Sequence, residues 1–312
     1  MTTQTLPILS LSDDTEAFAA KIGDSFKQFG FAMVRDHGLD EDLVARGWEL
    51  TRAFFALPEE QKRRYLLPGA AGARGYTPFG TEVAKGETVS DLKEFWHIGR
   101  ELPPYHPLLS ASMPPNVWPE RPPGFAETFC MLYDEFDRIG GAILSHIAVY
   151  LGLEPDWFDP VIDIGNSVLR LLHYPPVQGE TTNAERAAAH GDINLITLLL
   201  GAEEAGLELL DRSGQWLPVS PPDGALVINV GDMLERLTNH VLPSTIHRVR
   251  KPTGPATLRS RYSMPFFMHP RSDFVITTLS QCIYTSNPDR YPEPITADAF
   301  LQQRLYEIGL RD

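Results

Sequence analysis

The sequence predicts an α+β fold: a helical N-terminal region packed against an antiparallel β-sandwich or jelly roll. Three observations carry this. Phe18, Ile22, Phe26 and Phe29 recur at spacings of four, four and three, the period of an amphipathic helix. Beyond residue 165 the chain breaks into short apolar runs separated by turn residues: SVLRLLHY, LITLLL, LELLD, WLPVS, ALVINV, STIHRVR, SRYSMPFFM and FVITT. Strands so spaced, without helical patterns between them, indicate an antiparallel sandwich or barrel. Residues 103–123 hold eight prolines, which exclude a helix or a central strand and leave an extended surface connection.

The elements follow in order. Residues 12–30, SDDTEAFAAKIGDSFKQFG, open on capping residues and close at Gly30, so both helix ends are marked. FAMVRDHG is a short strand and turn. A second helix is expected over residues 40–56 and a short third from Pro58. GAAGARGYTPFG, residues 69–80, reads as a flexible loop without the lysine of a phosphate-binding Walker loop. A long helix is expected over residues 124–151, ending near Gly152. DRSG, between LELL and QWLPV, is a hairpin turn, and NVGD at residues 229–232 is also a turn. The chain divides into residues 1–123, the N-terminal region with its proline-rich connection, and residues 124–312, the long helix plus the β core as one structural unit.

Composition narrows the function. Hydrophobic residues make up 43% of 312, enough for a sizeable core. The net charge of -14 opposes binding to nucleic acid or an anionic membrane. Cys130 and Cys282 form no C-x-x-C pair and read as thiols in a reducing cytosol. MTTQTLPILSLSDD has neither a basic start nor a long apolar run, so no signal peptide and no membrane span are expected. A cytoplasmic protein with a small-molecule substrate is expected. The oligomeric state is not legible.

One stretch carries chemistry. HGDINLITLLL, residues 190–200, sets His190 and Asp192 two positions apart, on one face if the chain is extended. His247, in STIHRVR, comes 55 residues later (247 − 192). Two histidines and a carboxylate make a facial triad that leaves metal positions open. H-x-D alone is weak. His37, His97, His106, His146, His240 and His269 read more readily as surface, loop or core residues. Fourteen residues past His247 (261 − 247) comes Arg261, in RYSMPFF. Alternation puts Arg261, Ser263 and Phe267 on one face, and a guanidinium beside a hydroxyl suits a carboxylate.

H-x-D, about 55 residues to H, then R-x-S resembles the iron(II)- and 2-oxoglutarate-dependent oxygenases, in their isopenicillin-N-synthase-like branch. FKQFGFAMVRDHG, FFALPEEQKRRY, LRLLHYPPV and GLELLDRSGQWLPVSPPDGALVINVGDMLERLTNH carry the resemblance over nearly the whole chain. It implies a double-stranded β-helix, with His190, Asp192 and His247 as Fe(II) ligands and catalytic residues. It also implies that Arg261, Ser263 and Tyr174 hold 2-oxoglutarate. The branch often has an asparagine two residues before that tyrosine; here it is Leu172. The implied reaction consumes O2 and 2-oxoglutarate, releases succinate and CO2, and hydroxylates or desaturates a small organic substrate.

Candidate substrate-lining residues are Phe95, His97, Leu172, Leu207 and Phe267. The loop at residues 69–80 and the segment at residues 103–123 are candidates to cover the mouth. Three other readings stay open. Isopenicillin N synthase keeps R-x-S without using 2-oxoglutarate. A zinc hydrolase suits the same ligands, but no H-E-x-x-H occurs and R-x-S would be idle. A non-catalytic binding protein on this fold would be marked by a lost ligand or arginine, and neither is lost.

Overall fold

The computed structural model describes residues 5–67, 73–81, 90–110, 112–176, 185–201 and 206–307. In chain order the first half holds β1 (Ile8–Ser10), α1 (Thr15–Phe29), β2 (Phe31–Arg35), α2 (Glu41–Phe55), α3 (Glu59–Arg63), β3 (Gly75–Thr77), β4 (Glu94–Gly99) and α4 (Phe125–Tyr150). Next come α5 (Asp159–Ile162), β5 (Val168–Tyr174), β6 (Ala187–His190), β7 (Ile196–Leu200), β8 (Leu207–Leu210) and β9 (Trp216–Pro218). The chain ends with β10 (Leu226–Val230), α6 (Asp232–Leu237), β11 (His247–Val249), β12 (Arg261–Met268), β13 (Val275–Ile276), β14 (Ile295–Thr296) and α7 (Ala297–Glu307).

The helices form where their caps are. Asp14 accepts from Glu16 N at 3.1 Å and Ala17 N at 3.3 Å, and Gly30 ends α1 at φ 69°. A Cβ at Gly30 would also meet Pro243 O at 2.7 Å, so glycine is required there twice over. Asp40 caps α2 by accepting from Leu43 N at 2.8 Å.

Eight strands form one sheet in the order β1-β2-β10-β7-β12-β5-β4-β3, and four form a second in the order β6-β11-β8-β9. The large sheet has two different faces. Its outer face carries Leu169, Leu171, Leu198, Ile228 and Phe266 against Phe129 and Phe136 of α4, with α1 and α2 packed on α4. Phe266 lies 5.0 Å from Tyr133 and 5.7 Å from Phe136, ring centre to ring centre. Its inner face carries Phe31, Met33 and Val227, which pack with Ala187, Leu207, Leu209 and Val249 of the small sheet. Two sheets facing across an apolar layer make the jelly roll.

Several expectations change. The N-terminal region carries more strands than the one expected at FAMVRDHG: β1 to β4 supply half of the large sheet. β4 escapes pattern reading because Glu94 is buried within it, tied to Lys62 at 2.6 Å and to His173 at 2.7 Å. β6 and α7 were also unmarked by the apolar pattern. NVGD is a turn as expected, and it leads from β10 into α6 behind Gly231. Of the loop at residues 69–80, residues 69–72 lie outside the described residues. The proline-rich segment is fastened beside β4: Asn116 accepts from Gly99 N at 2.7 Å and donates to Gly99 O at 2.7 Å.

Phe266→Ala should remove about 3–5 kcal/mol of stability, since the ring fills the seam between sheet and α4. Denaturant unfolding of parent and variant measures it; a loss below about 1 kcal/mol would show that the seam closes around the gap.

Candidate active site

His190, Asp192 and His247 come together, each offering a ligand atom within 4.8 Å of the others. The two histidines are paired partners on β6 and β11 of the small sheet. β6 ends at His190, and Asp192 lies in the connection to β7. The H-x-D pair therefore converges through a loop and not through strand alternation. His190 Nε2 is 3.9 Å from Asp192 Oδ1, and His247 Nε2 is 3.9 Å from Asp192 Oδ2.

Hydrogen bonds orient all three. His190 Nδ1 donates to Ala188 O at 2.7 Å, and His247 Nδ1 donates to Thr245 O at 3.2 Å. A carbonyl only accepts, so both rings carry the proton on Nδ1 and aim the Nε2 lone pair inward. Asp192 Oδ2 accepts from Thr197 Oγ1 at 2.5 Å and from Asn229 Nδ2 at 2.8 Å. Burial alone would raise the Asp192 carboxyl, but the His247 and His190 imidazoles and these two donors hold it below its usual range. Loss of water around the ring, then the neighbouring His247, push His190 down to about 4, although its edge is 40% exposed at the mouth. Two imidazole lone pairs and one ionised carboxylate fit a divalent iron site with open positions.

The triad lines a cavity of about 570 Å³, counting its open mouth. Arg261, Ser263 and Tyr174 line the same cavity, as do Leu172, Leu207 and Phe267. Arg261 is 3% exposed. Its Nη1 donates to Ser263 Oγ at 3.4 Å, and its Cζ stands 5.1 Å from the Tyr174 ring centre. Phe95 and His97 are not on this wall. They sit on β4, one strand beyond β5, where Phe95 pairs with Leu172 and His97 with Arg170, and both touch the half-buried Arg170 side chain, which does line the cavity. Neither covering segment contributes a described residue to the wall.

Four polar or charged wall residues escaped the sequence reading: Lys93, Arg170, Thr197 and Asn229. Three carried a signal, a polar side chain inside an apolar strand run, in SVLRLLHY, LITLLL and ALVINV. Lys93, paired with Asp91 at 2.8 Å, carried none.

Known proteins share this architecture. Residues 165–270 match the 2OG-Fe(II) oxygenase superfamily, and residues 6–121 match the non-haem dioxygenase in morphine synthesis N-terminal family. The chain belongs to the 2OG-Fe(II) oxygenases. It is 34% identical to the 2-oxoglutarate-Fe(II) type oxidoreductase hxnY of Emericella nidulans, over 89% of this chain and 81% of that one. A crystal structure of a 2OG-Fe(II) oxygenase family protein from Caulobacter crescentus matches with a TM-score of 0.91 and 54% identity, over 98% of this chain and 99% of that one. A Neurospora crassa protein, crystallised in complex with alpha-KG and thymine, matches with a TM-score of 0.85 and 29% identity, over 96% of each chain. The oxygenase uses iron(II), 2-oxoglutarate and dioxygen, as its family does, and the donor set above fits the metal.

Asn229→Ala removes one of the two donors that aim Asp192. Anaerobic Fe(II) titration should show affinity weakened by about 10- to 100-fold, and His190→Ala should lose turnover while the fold survives. Parent-like iron affinity in Asn229→Ala would mean Thr197 alone orients the carboxylate.

Proposed function

We propose that this oxygenase couples decarboxylation of 2-oxoglutarate to hydroxylation or desaturation of a small organic molecule with a largely apolar reacting end. One observation carries the reading: His190, Asp192 and His247 share a single cavity with Arg261, Ser263 and Tyr174. Iron bound to the triad supplies the activation of dioxygen. Everything else is positioning by the chain. Arg261 takes the far carboxylate of 2-oxoglutarate through its planar fork, Ser263 adds a hydroxyl, and Tyr174 holds the guanidinium from the side. Leu172, Leu207 and Phe267 keep water away from the reacting carbon. They face a volume that suits a small molecule rather than a folded partner.

The Neurospora crassa relative, solved with thymine bound, sets the scale of substrate. The net charge of -14 argues against nucleic acid. No described helix is long and apolar enough to cross a membrane, and Cys130 and Cys282 are free thiols; the cytosol is the proposed location.

In air with Fe(II), the protein should release succinate slowly from 2-oxoglutarate alone and faster with its substrate. No release at all would favour a non-catalytic or zinc-dependent role. Arg261→Lys keeps the charge and loses the fork, so the half-saturating 2-oxoglutarate concentration should rise about tenfold or more. An unchanged value would mean that Arg261 is structural and does not hold the cosubstrate.

A further inference from the structure

We propose that Arg170 binds a carboxylate on the primary substrate. This deepens the oxygenase reading and rests on it. Arg170 lies on β5 on the inner face, in alternation with Leu172 and Tyr174, and it lines the cavity. Its guanidinium stands 4.4 Å from the Phe95 ring centre and 5.2 Å from that of Phe267. Its Nε donates to His97 Nε2.

Register fixes which end of the cavity this charge occupies. Phe267 pairs with Thr197 on β7, and Thr197 donates to Asp192. The Arg170 guanidinium is therefore at the metal end. Arg261 pairs with Tyr174, four residues along β5 from Arg170 (174 − 170), a separation of roughly 13 Å at strand rise. A cosubstrate that spans from the triad to Arg261 runs away from Arg170. The two arginines thus address two different ligands, one at each end.

Arg170 is also shaped for a planar anion. The Phe95 and Phe267 rings and His97 hold the guanidinium in place, so little freedom is lost when a carboxylate meets it. Phe95 and His97, expected from the sequence on the cavity wall, are positioning residues that act through Arg170. On a chain of net charge -14, a cationic wall inside the cavity focuses attraction on an acidic substrate at the site.

The test uses the full chain loaded anaerobically with Fe(II) and 2-oxoglutarate. Calorimetry measures binding of benzoate, phenylacetate, cinnamate and octanoate, each beside its primary amide. At least one acid should bind about tenfold or more tighter than its own amide. Arg170→Met should bring that ratio near one, and Arg170→Lys should keep part of it. Arg170→Gln serves the same comparison if the methionine variant does not fold. A merely structural arginine would move acid and amide together and leave their ratio intact. A ratio near one for every pair in the parent, or a preference that survives in folded Arg170→Met, overturns the proposal. The parent is also assayed in air for succinate release from 2-oxoglutarate without any probe. Release without acid preference overturns Arg170 alone; no release overturns the oxygenase reading as well.

Discussion

Asp192 is a carboxylate with only 6% of its side chain exposed, and burying such a charge is costly unless donors meet it. Thr197 of β7 and Asn229 of β10 meet it, both from the large sheet. The two histidines come from paired positions on the small sheet. The metal centre is therefore the point where the two sheets are joined, and its geometry depends on their separation. That separation is set by Phe31, Met33, Leu207, Leu209 and Val249. The apolar layer between the sheets thus sets how closely the metal ligands approach.

The large sheet then acts as a sorting surface. Period-two alternation sends Phe266, Leu198 and Ile228 to the helices and sends Arg261, Ser263, Phe267 and Arg170 into the cavity. A slip of one residue in β12 would exchange the two sets. The tight seam with α4 around Phe266 specifies register on one face, and the cavity makes use of it on the other. Catalytic geometry is supported here by residues that never see the substrate.

The helical layer has a second task. α1, α2 and α4 cover the outer face, so β5, β7 and β12 are buried and their side chains have little room to reorganise. A rigid backing suits a site that must hold cosubstrate, substrate and dioxygen at fixed positions. The paired charges Lys62 of α3 and Glu94, with His173 of β5, pin β4 between α3 and β5. They are the reason a strand containing a glutamate can lie beside β5.

Residue type and spacing marked the site, and the family resemblance they carry gave it its chemistry. His190, Asp192 and His247 are legible because metal ligation tolerates few substitutes, and Arg261 and Ser263 because R-x-S stands out in an apolar strand. The long helix and the strands from β7 to β12 are legible because their apolar periods are clean. What lay beyond the sequence was lateral placement. Phe95 and His97 lie in a motif that reads as cavity wall, yet on β4 they pair with Leu172 and Arg170 of β5, and it is those two that line the cavity. Arg170, Thr197 and Asn229 carried a polar mark inside apolar strands, but a mark does not say which face of which sheet it serves. That is decided by the order β10-β7-β12-β5-β4, a set of pairings between segments far apart in the chain. Local periodicity cannot encode it, because each pairing depends on the packing of both partners against the helices and against the second sheet.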